Sequence, residues 1–347
     1  MSTRLRLGLH LQLSSHPTIP ERRRFEDAAA QAVAAERLGF ESVWPVEQHF
    51  DREASMLSAP LVFLAGVAAR TSTIRLGTAI LIAPLHHPLR LAGELATLDV
   101  LSGGRVECGL GRGIDPTHFA RFDVPAHPGH AQLDTAICRL RAAWTDPAMG
   151  VTPAPLQQPH PPIRVAANTA DTFVHAGRLG LPIMVATHIN PPAVLRELIC
   201  SYRRSRAEHG HDHRADDVTV LTPVFTHADP RRARELVEPG VERMAGAIRQ
   251  RVQRLLASLP SDTGATAERA RAERLAKQLD GFGYDVLVER DMAVFGTPAE
   301  AACRIHQLAA ELTAGRVICW FDPGGLLAHD DIVSSMTAVA DATGSRP

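Results

Sequence analysis

Six short stretches of this 347-residue sequence stand where an apolar run ends: His10 and Gln12, Glu47-Gln48-His49, Ala79-Ile80, Arg112, Asn168-Thr169, and His188. Imidazole and carboxylate groups so placed can exchange protons with a bound molecule, and a glutamine amide both donates and accepts hydrogen bonds. With 17 histidines in the chain, any one of them fits a structural hydrogen-bonding role as well, so the grouping carries the argument. Arg112 stands among Gly109, Gly111 and Gly113, which let a ligand come close to the backbone. That suits a phosphate or carboxylate, and equally a tight turn carrying an exposed arginine.

Other chemistries find less support. Glu47 with His49, the pair His86-His87, and His209-Gly-His211-Asp-His213 have metal-ligand residue types, but no HExxH-like spacing occurs and no metal site is expected. No serine or cysteine lies in a GxSxG context, which speaks against an α/β-hydrolase. Gly103-Gly104 reads as a helix stop, and the glycines around Arg112 form neither a P-loop nor GxGxxG.

The elements that must position these residues alternate. Strands are expected at 5–11, 41–45, 74–81, 106–111, 163–167, 183–186, 218–225 and 316–321. Helices are expected at 21–38, 57–70, 88–101, 132–144, 172–179 and 298–312. In 132–144, Leu133, Ile137, Leu140 and Trp144 recur at helical spacing, one apolar stripe. Eight short apolar strands with helices between them predict an α/β protein, a TIM-type (β/α)8 barrel with parallel strands buried on both sides. An open doubly wound sheet wants a glycine fingerprint at its first turn, where Ser14-Ser15-His16-Pro17 stands instead.

A single barrel domain is expected over 1–347, with a helical insertion at 229–293 between the seventh and eighth strands. There Val237, Val241, Met244, Ile248, Val252 and Leu255 form one stripe, and 268–277 is a charged helix. Insertions after barrel strands sit at the catalytic end, so a lid or pocket wall is expected, against a hairpin that only packs.

Composition narrows the class. The chain is 45% hydrophobic and 22% charged, enough for a large core without disulfides or structural metal. A formal net charge of −1 offers no basic field for nucleic acid or an anionic membrane. Five scattered cysteines without CxxC spacing fit a reducing cytoplasm. No run approaches the roughly 20 apolar residues of a membrane span. The first six residues alternate charge with apolar side chains and read as the approach to a strand rather than a signal peptide.

Several blocks, in order, resemble the bacterial luciferase-like flavin-dependent monooxygenase family. Gly39-Phe-Glu-Ser-Val-Trp-Pro-Val-Glu-Gln-His-Phe50 is similar to its GF…VW…EHHF signature. Ile74-Arg-Leu-Gly-Thr-Ala-Ile-Leu81 with His86-His87-Pro88, and Leu101-Ser-Gly-Gly-Arg-Val-Glu-Cys-Gly-Leu-Gly-Arg-Gly113, resemble its third- and fourth-strand blocks. Val165-Ala-Ala-Asn-Thr169, Gly180-Leu-Pro-Ile-Met184 and Phe295-Gly-Thr-Pro-Ala-Glu300 continue the likeness.

The resemblance implies a barrel enzyme, often a homodimer, that takes reduced FMN from a separate flavin reductase. Such an enzyme oxygenates a small organic substrate through a flavin C4a-peroxide. It implies that Arg112, Thr169 and Thr172 hold the flavin phosphate, with Asn168 adjoining, and that Ala79-Ile80 is a cis peptide beneath the flavin ring. Gln48 and His49 fall on the catalytic segment. The first histidine of EHHF is replaced here by Gln48, which cannot exchange a proton near neutral pH. Two alternatives follow: an F420-dependent oxidoreductase of the same fold, or a non-catalytic flavin-binding partner subunit.

Overall fold

The computed structural model describes residues 5–125, 129–212, 217–259, 266–279 and 281–346. Eight parallel strands close on themselves: β1 (Leu7–Leu11), β2 (Ser42–Pro45), β3 (Arg75–Gly77), β4 (Val106–Gly111), β5 (Ile163–Ala166), β6 (Ile183–Ala186), β7 (Val218–Thr226) and β8 (Arg316–Trp320). Closure comes from β8, which pairs with β1 on one side and β7 on the other. Helices cover the outside, so the TIM-type barrel expected from the alternation is the fold. Because every barrel strand runs the same way, all their C-terminal ends open at one mouth, where the six stretches above converge.

The third strand differs from expectation. The 74–81 run is two pieces, β3 and a two-residue strand Leu81–Ile82 beside β4, with the cis peptide Ala79–Ile80 between them. At the break the ladder passes through a side chain. Thr78 Oγ1 donates to the Gly109 carbonyl at 2.9 Å and accepts from the Gly109 N–H at 3.0 Å. Helices Pro192–Glu208 and His329–Ala342 were not anticipated; the first begins at Pro191-Pro192 and ends in an arginine-rich turn that masks its periodicity.

The barrel interior is layered. At the N-terminal end Glu107 is buried among three arginines: Arg316 is bidentate at 2.9 and 3.0 Å, Arg75 lies at 2.6 Å and Arg164 at 3.1 Å. Burial would raise the Glu107 pKa, but these three cations outweigh it and hold the carboxylate ionised. Above this plug lies the Trp44 ring, with the Arg316 guanidinium 5.3 Å from its centroid. Only glycine fits beneath that ring, since a Cβ on Gly77 would lie 2.1 Å from Trp44 Cε3. Ile318 and Met184 pack with Trp44, and Ala79, Ile80 and Leu221 line the layer nearest the mouth.

The insertion starts with a long helix, Pro230–Ser258, followed by Thr266–Gln278 and Tyr284–Glu289. The long helix is anchored: Val237, Val241, Met244 and Val252 join the main core, and a Cβ on Gly240 would meet the Pro323 carbonyl at 2.3 Å. Arg243 donates to the Ser15 carbonyl at 2.6 Å and to that of Gly324 at 3.3 Å, tying the helix to the loops after β1 and β8.

Candidate active site

A buried histidine, His10, and a half-buried one, His188, flank Trp320 at the end of β8. The His10 ring meets it edge-on at 5.5 Å and the His188 ring at 5.3 Å. Burial pushes His10 down to about 3, helped by His188, and pushes His188 down to about 4, helped by the charge of Arg251. Both are therefore neutral at pH 7. Each keeps a buried Nδ1 with no hydrogen-bond partner among the described residues, so each has a free donor or acceptor.

The segment after β2 is organised by Glu47. Its buried carboxylate accepts from His49 Nε2 at 2.7 Å, from His86 Nε2 at 3.0 Å and from the Ile82 N–H at 2.6 Å. Burial alone would raise its pKa; the hydrogen bonds from His49 and His86 outweigh that and keep it below the usual carboxylate range, while His86 is raised in turn. Glu47 N–H also donates to the Ile80 carbonyl at 3.3 Å, so this residue holds the 80–82 segment through both its backbone and its carboxylate. Gln48 and His49 diverge as neighbours on extended chain do. The ring of His49 is held by Glu47, whereas the Gln48 amide lies 3.1 Å from His118 Nε2.

The floor of the mouth is shaped by glycines. A Cβ on Gly109 would lie 1.9 Å from the Thr78 carbonyl oxygen, and one on Gly111 would lie 2.6 Å from Ile80 Cδ1. Those two positions let the Ala79–Ile80 segment press directly onto β4. Just beyond, Arg112 Nη2 donates to Thr172 Oγ1 at 3.1 Å, and Thr169 and Thr172 share a hydroxyl contact at 2.9 Å. Thr169 is the N-cap of helix Ala170–Arg178, whose first N–H groups and dipole favour an anion. Asn168 presents its carbonyl to Asn190 Nδ2 at 3.0 Å. His130 sits beside this group, bonded to Asp171 at 3.0 Å, and burial lowers its pKa. The structure thus brings Arg112, Thr169 and Thr172 together.

Four residues at the mouth escaped the sequence reading: His118, Trp320, Asp115 and Arg251. Asp115 caps the helix Pro116–Arg121, accepting from the Thr117 N–H at 3.0 Å, and is met by Arg254 Nη2 at 3.2 Å. The Asp115-Pro116 cap signal was legible and predicts this short helix, which carries His118. Arg251, two turns before the end of the long helix, had no local signal at all. Gln12 is turned to structure, donating to the Ala54 carbonyl at 2.7 Å. Among the described residues no three His, Cys, Asp or Glu side chains gather as a metal group; His213 lies outside them.

The sequence profile of the family described as luciferase-like monooxygenase matches residues 5–315. The oxygenase component of a flavin-dependent trigonelline monooxygenase from Acinetobacter baylyi is 27% identical over 236 residues, 64% of this chain and 64% of that one. That alignment spans less than two thirds of the relative's length. The crystal structure of monooxygenase RslO1 from Streptomyces bottropensis superposes with a TM-score of 0.77 at 26% identity, covering 97% of this chain and 98% of that one. An F420-dependent secondary alcohol dehydrogenase, bound to an F420-acetone adduct, shares the fold with a TM-score of 0.72 at 16% identity, covering 98% and 99%.

Proposed function

The chain belongs to the luciferase-like monooxygenase family, and on that footing we propose that it is the oxygenase of a two-component system, using reduced FMN and dioxygen to oxygenate a small organic molecule. The observation that carries the reading is the anion group at the mouth: Arg112 with Thr172 and Thr169 at the start of helix Ala170–Arg178. Arg112, the hydroxyls of Thr169 and Thr172 and the positive end of this helix suit a phosphate monoester. Next to it the Ala79–Ile80 floor and the neutral His10–Trp320–His188 wall offer an apolar slot for a planar ring. The residues present therefore fit FMN.

Reduced FMN, when bound, supplies the two electrons with which one atom of dioxygen enters the acceptor and the other leaves as water. The protein's part is placement. Arg112, Thr169 and Thr172 fix the phosphate end, with Asn168 supporting the strand end through its carbonyl. Ala79 and Ile80 support the ring, and Glu47 fixes that segment through Ile82. Gln48 aims a neutral amide at the reacting region, and His49 orients the loop through Glu47. The long helix of the insertion lies against the loops of the mouth, which makes this helix of the 229–293 insertion the pocket wall in this reading.

The same reading includes a separate flavin reductase as electron donor and a second copy of the chain as partner. Support for the second copy is an apolar groove of about 880 Å³ lined by helices Pro60–Ala68 and Pro88–Ser102, with Val62 and Leu101 exposed on them. All five cysteines are free, in accord with a reducing cytoplasm. No helix of the described residues is long and apolar enough to cross a membrane.

The test is oxygen uptake by the purified protein with FMN, NADH and an independent FMN reductase, scanned across candidate acceptors. Acceptor-stimulated uptake with an oxygenated product supports the reading. Hydride transfer with F420 in place of FMN, or flavin binding without any turnover, replaces it with one of the two alternatives.

A further inference from the structure

Arg251 makes no side-chain hydrogen bond among the described residues. It lies on helix Pro230–Ser258, and only 21% of its side chain is exposed. Its Nε is buried with no hydrogen-bond partner among the described residues, and Asp115 meets its charge only as a long ion pair. The nearest carboxylate, Asp115 Oδ2, is 3.7 Å from that Nε, beyond hydrogen-bond reach. Arg254 occupies that carboxylate instead, at 3.2 Å, and reaches Asp51 Oδ2 at 3.3 Å with the same nitrogen. A guanidinium taken largely out of water and left unbonded is costly to keep, unless something else fills its fork.

What surrounds it is the mouth. The charge of Arg251 bears on both His188 and His118, lowering the pKa of each. His188 follows β6, and His118 lies on the short helix after β4, two strands away in the barrel. His118 has a buried Nδ1 without a partner, as do His10 and His188. Three neutral imidazoles and one cation thus share a wall with unused hydrogen-bonding capacity. The rim beside it is apolar: Phe50 is 51% exposed, Ile114 62% and Phe122 40%. Phe50 and Phe122 lie 5.3 Å apart, and Phe122 lies 4.9 Å from the His49 ring.

We propose that Arg251 is the acceptor-binding residue, and that the acceptor is a ring-bearing molecule with an anionic oxygen. The oxygen enters the Arg251 fork, its ring rests on Phe50 and Phe122, and His188 and His118 supply further hydrogen bonds. A bidentate guanidinium contact gives both charge and direction, so it orients the acceptor over the flavin floor. The anionic oxygen is a carboxylate or a phenolate, which share this chemistry. The proposal rests on the flavin reading above for the acceptor's role, but the anion site itself stands on Arg251 alone.

The experiment measures equilibrium binding to FMN-loaded protein with two matched probe pairs, benzoate against benzamide and 4-nitrophenolate against 4-nitroanisole. Benzoate preferred by about tenfold or more marks a carboxylate, and 4-nitrophenolate preferred by that margin marks a phenolate. Arg251→Gln is expected to bring the ratio to within about twofold, and Arg251→Lys to keep part of it, since charge remains but the fork is lost. Oxidised FMN affinity should be the same in all three proteins, which shows that the variants fold. No preference in either pair, no binding of any probe, or a preference that survives Arg251→Gln each overturns the proposal. If wild-type protein fails to bind FMN while the apoprotein still prefers an anion through Arg251, the flavin reading falls and the anion site stands.

Discussion

The Gln48 amide lies 3.1 Å from His118 Nε2, and the same nitrogen lies 3.0 Å from the His49 carbonyl oxygen. One nitrogen cannot accept from the amide and donate to the carbonyl at once, so the tautomer of His118 sets which end of the Gln48 amide faces it. Burial holds His118 below the ordinary imidazole range, so the ring is neutral and the choice is between two tautomers rather than two charges.

Gln48→Ala should therefore lower coupling between flavin oxidation and product, releasing more hydrogen peroxide, while FMN affinity stays. A well-aimed donor is worth about 10²–10³ in rate. His118→Phe should reproduce part of that loss by freeing the amide. Gln48→His should add a titratable group and shift the pH profile of turnover. His49→Ala should act through stability or flavin affinity instead. Stopped-flow and peroxide assays read all four; loss of turnover in His49→Ala with unchanged binding would exchange the roles of Gln48 and His49.

Gly109→Ala should fold poorly or lose flavin binding. Its Cβ would fall 1.9 Å from the Thr78 carbonyl oxygen, a contact that only backbone movement relieves. That movement would displace Ala79–Ile80, so any folded fraction should bind FMN at least tenfold more weakly, measured by fluorescence titration. Normal affinity in the folded variant would show that the β3–β4 contact does not shape the floor.

The charged plug predicts a stability effect remote from the mouth. Glu107→Gln leaves Arg75, Arg164 and Arg316 facing one another in a buried layer. Breaking a buried pair in this way costs about 3–5 kcal/mol. Denaturant melts should show that loss, and a loss below about 1 kcal/mol would mean that water reaches the plug.

Stability should also fall on mild acidification. His10 and His188 start from 6.5 in the unfolded chain and are held at about 3 and about 4 in the fold. Between those limits the unfolded state binds more protons, so stability rises with pH and is lost as pH falls below about 6.5. Each histidine contributes up to about 1.4 kcal/mol per pH unit. Melting curves between pH 7 and 5 read this effect summed with those of His118 and His130, shifted the same way, and of His86, shifted oppositely. Carboxylates such as Glu107 act below their ordinary value of 4.5. His188→Gln should flatten the slope; an unchanged slope would mean that His188 is not buried neutral.

The fold was largely readable because eight apolar runs recur with helices between them, and parallel strands buried on both faces need such runs. The break at Thr78 was hidden, since Ile74-Arg-Leu-Gly-Thr-Ala-Ile-Leu81 is one uninterrupted strand pattern whose ladder is completed by a side chain. His10, His188 and Arg112 were visible as strand-end residues. Residue-level roles for Thr169, Thr172 and Ala79–Ile80 came from family resemblance rather than from local pattern. Arg251 was invisible, because 37 Lys and Arg residues are spread along the chain and only tertiary packing carries this one to the mouth.

Anaerobic titration of the purified protein with reduced FMN and with reduced F420, side by side, tests the central claim most directly. The account predicts saturable binding of reduced FMN, weakened about 10–100-fold by Arg112→Ala and less by Thr169→Val, with no comparable binding of F420. Tight binding of reduced F420 with no affinity for reduced FMN, or FMN affinity indifferent to Arg112→Ala, would contradict it.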